Sequence, residues 1–348
     1  MEASVIVTYR CPMRCQMCSI WEHPSDVGEE FAPCELRKLP RLKLVNVTGG
    51  EPFMREDLSE IVDVLFTKTR RVVISTSGWF EDRVLSLAKR YPALGFRVSI
   101  EGFAEKNDTL RGREGGFDRG LRTLLGLRRL GVRDIGFGIT VSDHNSGDML
   151  WLYELAKAMN MEFATAAVHN SFYFRKNDQR IANLETVCAD FEELANRLMR
   201  RRHPKSWFRA LFNVGLVQYI RGERRMLPCE AGMANFFVDP VGQVLPCNGM
   251  ERRYWFASMG NLRDVGDFAE IWQSERAREV RAKVAACPKN CWMIGSASPV
   301  MKKYLWRILP WVIRNKVGVM AGRRICADTC LSFQTGGDTE QGNPAVSS

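Results

Sequence analysis

Six short apolar runs, at residues 4–9, 42–48, 72–76, 96–100, 135–141 and 163–168, are separated by longer amphipathic stretches. The runs have strand length, whereas the stretches at 58–67, 81–89, 118–130 and 148–159 carry apolar residues at helical spacing. Six β–α units predict an α/β fold in which a parallel sheet curls into a partial (β/α)6 TIM-like barrel. Ligands of such sheets bind beyond the carboxyl ends of the strands. At 348 residues and 45% hydrophobic composition, the chain can hold this barrel and a smaller domain besides.

Just after the first run, Cys11, Cys15 and Cys18 form a C-x3-C-x2-C array. Three thiolates on one tight turn can grip a cubane [4Fe-4S] cluster and leave its fourth iron open. A zinc site usually adds a second pair of ligands, and only His23 is near; disulfides need an oxidising compartment, and no basic-then-apolar leader precedes Cys11. The expected location is the cytoplasm.

Thr48-Gly49-Gly50-Glu51-Pro52 follows the second run, so its glycines sit just past a strand end, where backbone can approach a small polar ligand. The cysteine array together with this GGEP segment resembles the radical S-adenosylmethionine (SAM) superfamily. That resemblance implies an open iron chelated by SAM, with Gly49, Gly50 and Glu51 at the methionine end of the cofactor. It further implies that Ser99 and Glu101, after the fourth run, reach the methionine carboxylate or the ribose, and that Thr140, near Asn145, faces the cofactor from the fifth. Ser77 stands where relatives often have Asn, and Glu101 where Asp is frequent. As ordinary residues these would be half-buried strand positions.

Residues 185–202 and 206–221 read as helices that complete a first region, 1–225. Over 226–298, Cys229 and Cys247 flank a hairpin with a Pro-Gly turn, and a helix over 268–285 delivers Cys287 and Cys291. With Gly260-Asn261-Leu262 and Ile271-Trp272, this region resembles the small α+β SPASM and twitch extensions of radical enzymes. The resemblance implies one auxiliary iron–sulfur cluster on Cys229, Cys247, Cys287 and Cys291. Four thiolates suit zinc equally well, and Cys326 or Cys330 could replace Cys287. Cys34 and Cys188 have no assignment.

Segment 299–333 interleaves Trp306, Ile308, Trp311 and Ile313 with Lys302, Lys303, Arg307 and Arg314, and Pro310 is expected to interrupt any single helix. Tryptophan beside lysine and arginine is the composition of an interfacial anchor, and equally that of a helix packed across the barrel with a basic outer face. A formal net charge of +10 favours an anionic partner, and hence peripheral contact with an anionic inner membrane surface. Nucleic acid is disfavoured because no zinc-finger or RNA-recognition spacing is present. Residues 334–348 read as a disordered tail.

The resemblance implies an enzyme that receives an electron from a small donor such as ferredoxin or flavodoxin, cleaves SAM reductively to a 5′-deoxyadenosyl radical and abstracts hydrogen from a substrate. A lipid or lipid-linked molecule, a peptide and a sugar all remain open as that substrate. The alternative is a non-enzymatic two-cluster electron carrier or redox-responsive module, which would not need the GGEP segment. No catalytic acid or base is assigned; His144, His169, Tyr173 and Arg111 lie near strand ends or loops.

Overall fold

A computed structural model describes residues 1–249 and 258–325. Six parallel strands alternate with helices: β1 (Glu2–Ile6), β2 (Leu44–Thr48), α1 (Leu58–Lys68), β3 (Val72–Thr76), α2 (Glu81–Arg90), β4 (Gly95–Ser99), α3 (Ala104–Arg111), α4 (Gly116–Arg129), β5 (Ile135–Val141), α5 (Ser146–Ala158) and β6 (Glu162–Ala167). Two longer helices follow, α6 (Leu184–Arg200) and α7 (Pro204–Ile220). The strands side with the sequence expectation, but β1 begins and ends earlier than the apolar run, because residues 7–9 leave the sheet toward the cysteine loop.

The strands alternate in character. Val5, Val45, Val47, Ile74, Phe96, Val98 and Phe137 are fully buried, and burying each such side chain stabilises the fold by roughly 1.5–3 kcal/mol. The intervening positions Ser4, Asn46, Ser75, Ser99, Gly138 and Ala164 line an internal cavity instead. A period of two places these sets on opposite faces of each strand.

The carboxyl-terminal region extends the same sheet. β7 (Asn235–Val238) pairs in parallel with β1, in register Glu2 with Asn235, and then β8 (Gln243–Leu245) and β9 (Gly260–Asn261) add antiparallel. The nine-stranded order is β6-β5-β4-β3-β2-β1-β7-β8-β9. The helix expected over 268–285 is two helices, α8 (Phe268–Trp272) and α9 (Glu275–Ala285). Ser274 breaks the run by capping α9, its side chain accepting from Ala277 N.

α10 (Ile294–Lys303) and α11 (Leu305–Met320) end the described chain. Pro310 does not interrupt α11; the break falls at Tyr304. The ring removes the bond to the Trp306 carbonyl, and Trp306 is exposed, so water can replace it, while Ile308, Trp311 and Val312 are buried and hold the helix against α6 and α7. α7 packs on β6, and α10 on β1 and β7. Both helices line the cavity, completing the wall that the sheet leaves open.

Candidate functional site

The cavity, about 840 Å³, is lined by Cys11, Cys15 and Cys18 beyond the carboxyl end of β1. The loop carrying them is docked on the end of α3. Arg14 N donates to Arg111 O (3.0 Å), Gln16 N to Leu110 O (2.9 Å) and the Arg113 guanidinium to Pro12 O (2.6 Å). Gly112 closes α3 at φ 62°, and a Cβ there would meet Arg14 O at 2.2 Å, so a glycine is required. Burial pushes the Cys11 and Cys18 thiols up to about 12, and Cys15 up as well, so without a metal these groups would be neutral thiols. A bound cation inverts that preference and makes them thiolates.

Gly49 and Gly50 line the same mouth. Gly50 N donates to Thr8 O (2.7 Å) and Glu51 N to Arg10 O (2.9 Å). Cβ atoms on the glycines would lie 2.5 Å from Thr8 O and 2.3 Å from Arg10 O, so the two loops touch only because both residues lack side chains. Glu51 departs from the expectation. Its fully buried carboxylate turns away from the cavity and accepts from Thr76 Oγ1 (2.7 Å), Ser77 N (2.7 Å), the Ser77 hydroxyl and Phe53 N (3.3 Å). Four local donors claim an acceptor-only group, so Glu51 braces the β2 and β3 loops. This also gives Ser77 a role: it holds Glu51.

Ser99, Glu101 and Thr140 line the cavity as expected. Glu101 accepts from Thr140 N (2.7 Å) and from Arg111 Nη1 (3.3 Å), while Asn145 Nδ2 donates to the carbonyls of Glu101 (2.8 Å) and Thr140 (3.0 Å). Burial raises the Glu101 pKa, with Arg111 and the Thr140 amide opposing it. Arg111 is buried too, but the Cys15 and Cys11 sulfurs, once they are thiolates, and the Glu101 carboxylate more than offset that burial and hold it cationic. It is the buried cation closest in chemistry to what a carboxylate-bearing cofactor needs. The sequence reading noted Arg111 only as a residue near a strand end or loop and gave it no such role, because α3, AEKNDTLR, has no apolar periodicity. Its one local signal was Gly112, a helix-stopping glycine.

His169 and Tyr173 also line the cavity, and Tyr173 donates to Gly49 O (2.9 Å). His169 Nδ1 lies 3.2 Å from Ala167 O, its Nε2 is buried without a partner, and burial lowers its pKa to about 4. His144 does not line this cavity.

Cys229, Cys247, Cys287 and Cys291 line a second, smaller recess together with Lys289. Burial, then the neighbouring Cys291, Cys229 and Cys287 sulfurs, push the Cys247 thiol well above its usual range. Lys289 Nζ donates to Gly249 O (2.9 Å) and reaches Asn170 O (3.4 Å), tying the recess to the loop after β6. Asn248 and Met293 line both cavities, so the two cavities adjoin across a shared wall. Among the described residues no three donors converge closely enough to share a single ion; a cubane spreads its ligands over several irons. Cys34 is exposed and Cys188 buried in the core, apart from both sets, and Cys326 and Cys330 lie outside the described residues.

A parallel β/α partial barrel carrying three thiols at the exit of its first strand, with a second thiol set behind, defines a radical iron–sulfur enzyme. The radical SAM superfamily profile matches residues 5–156 and the SPASM iron–sulfur cluster-binding domain profile residues 229–293, so the chain carries a radical SAM domain followed by a SPASM domain. The first domain implies a [4Fe-4S] cluster and SAM, the second an auxiliary iron–sulfur cluster. The chain is similar to the AdoMet-dependent heme synthase of Nitratidesulfovibrio vulgaris, 28% identical over 80% of each protein. It is also 26% identical to the mycofactocin maturase MftC of Mycobacterium tuberculosis, over 80% of this chain and 72% of that one. In fold it is similar to Streptococcus suis SuiB bound to the precursor peptide SuiA, with a TM-score of 0.61 at 14% identity, covering 86% of this chain and 74% of SuiB.

Proposed function

We propose that this enzyme binds a [4Fe-4S] cluster on Cys11, Cys15 and Cys18 and SAM against Gly49, Gly50, Ser99, Glu101, Arg111 and Thr140, and acts on a carbon–hydrogen bond of an organic substrate in the same cavity. When bound, this pair supplies a 5′-deoxyadenosyl radical on one-electron reduction. Arg111 meets the methionine carboxylate, Glu101 is held in place by the Thr140 amide, and the glycine backbone admits the methionine amino group. Cys229, Cys247, Cys287 and Cys291, which share one recess, would hold the auxiliary cluster, and that group would supply one-electron redox chemistry there. The observation carrying this reading is the shared cavity of three thiols, two obligatory glycines and a buried arginine–glutamate pair. The radical SAM domain closes the electron-carrier alternative. The relatives' names bring a peptide and a heme precursor forward as substrate classes; a lipid-linked molecule or a sugar has no such support. A ferredoxin or flavodoxin serves as electron donor. Anaerobic reconstitution with dithionite and SAM tests the reaction: 5′-deoxyadenosine must form, and its persistent absence with a filled cluster would refute it.

A peripheral membrane contact belongs to the same proposal. Trp306, Pro310, Ile313, Val317 and Met320 recur at spacings of four and three along α11 and are all exposed, flanked by Arg307 and Arg314. This spacing makes one outer apolar stripe, opposite the packed Ile308, Trp311 and Val312. Among the described residues no helix is long and apolar enough to cross a membrane. Sedimentation with phosphatidylglycerol vesicles should pull down the protein and should fail for W306S/V317S; equal sedimentation of the two would remove the contact.

A further inference from the structure

The cavity does not stop below the cysteine loop. It runs to the opposite, amino-terminal end of the barrel, where Glu2 and Asn235, the first residues of β1 and β7, are part of its lining. A five-residue strand spans roughly 17 Å, so this lower end is remote from the thiols. TIM-type interiors are normally filled by branched side chains; here Ser4, Asn46, Ser75, Gly138 and Ala164 leave the interior open. Phe208 and Phe212 of α7, Met301 of α10, Leu305 of α11 and Phe237 of β7 make an apolar side wall. The floor is charged. Five cations line it, Arg71, Arg97, Lys205, Arg209 and Lys302. Their carboxylate partners are three: Asp134 for Arg71 and Arg97, Glu162 for Lys205 and Arg209, and Glu2 for Lys302.

The floor therefore holds an excess of two positive charges, from five cations against three carboxylates. Burial lowers the Arg209 pKa, relieved in part by Glu162 and reinforced by the nearby Arg97. Beside them Asn235 is only 3% exposed, and neither its amide nitrogen nor its amide oxygen has a hydrogen-bond partner. A buried amide left unpaired on both atoms costs stability that a bound polar group would restore.

We infer that this lower compartment anchors the carboxylate of an amphipathic organic acid, with its apolar body along the α7–α10 wall and a hydroxyl or amide of the same molecule on Asn235. Charge-assisted bonds to guanidinium are stronger than neutral ones, so an acid is distinguished from its ester at this floor. As the far end of the substrate, the occupant rests on the reading of the cavity as the reaction site.

Dansylaminoundecanoic acid and its methyl ester are the probes, titrated by fluorescence into the reconstituted full-length enzyme. The acid should bind about tenfold more tightly than the ester, the preference should vanish in Arg97→Met, and Arg209→Lys, which keeps the charge, should retain it. Equal binding of acid and ester, or a preference undiminished in Arg97→Met that still binds the ester, would overturn the inference. 5′-Deoxyadenosine release is read separately. A protein that releases it but shows no acid preference loses this inference alone; one that selects the acid yet never releases it loses the reaction, and with it the occupant's assignment as substrate.

Discussion

Glu51→Gln separates bracing from cofactor binding. The carboxylate accepts from Thr76 Oγ1, Ser77 N, the Ser77 hydroxyl and Phe53 N. Glutamine keeps one acceptor oxygen and brings an NH2 into a ring of donors. If its oxygen serves Ser77 N, its nitrogen faces Thr76 Oγ1, which already accepts from Gly78 N at 3.1 Å. A lost charge-assisted bond is worth about 1.5–3 kcal/mol and an unpaired buried donor about 1–3; partial reorientation of the hydroxyls leaves a net cost of about 2–4 kcal/mol. At about 1.4 °C per kcal/mol for a chain of 348 residues, the apparent Tm should fall by roughly 3–6 °C. Scanning calorimetry at a fixed rate, under nitrogen, measures that fall, and equilibrium dialysis measures the SAM Kd of the folded variant, expected within about threefold of the parent. An unchanged Tm accompanied by a tenfold loss of SAM affinity would show that the carboxylate faces the cofactor and that the bracing argument is wrong.

Serine at Cys11, Cys15 or Cys18 should abolish 5′-deoxyadenosine formation and remove one cluster's iron, whereas Cys34→Ser, at an exposed thiol apart from both sets, should change neither. Serine at Cys247 should remove iron while leaving the amino-terminal cluster's SAM-dependent spectral shift intact. Gly112→Ala alters no ligand, yet its Cβ would strike Arg14 O, so iron retention should drop as in the cysteine variants; full retention would contradict the docking of the loop on α3. His169 has a folded-state pKa of about 4, below the unfolded value, so the unfolded chain binds the proton first as pH falls. The neutral ring's contribution is full above about pH 6.5 and lost toward pH 4, about 1.4 kcal/mol of it by pH 5.5. Stability of His169→Gln should therefore fall less steeply between pH 7.5 and 5.5 than that of the parent; parallel profiles would mean the imidazole is solvated.

What the sequence disclosed was local. Cys11, Cys15 and Cys18 share one cavity mouth, as their spacing on a single loop allows one to read directly, and the six apolar runs specify parallel strands because their period and spacing are chain properties. The orientation of Glu51 was hidden, since whether a loop carboxylate faces a ligand or its own neighbours depends on Thr76 and Ser77 arriving from another strand. Arg111 was noticed only as a loop residue, because the helix that places it is polar. The pairing of β7 with β1 joins residues more than two hundred positions apart, and neither strand's composition names its partner. Pro310 misled for a related reason: the local penalty is real, but tertiary packing of Trp311 and Val312 outweighs it.

That β1–β7 ladder leaves no hinge between the two thiol sets. Among the described residues their separation is built into a continuous hydrogen-bonded lattice, so it cannot be retuned by lengthening a linker between β1 and β7. A fragment ending before Asn235 would bare the amides and carbonyls along one side of the first strand, and would be expected to associate with itself before it could host either centre.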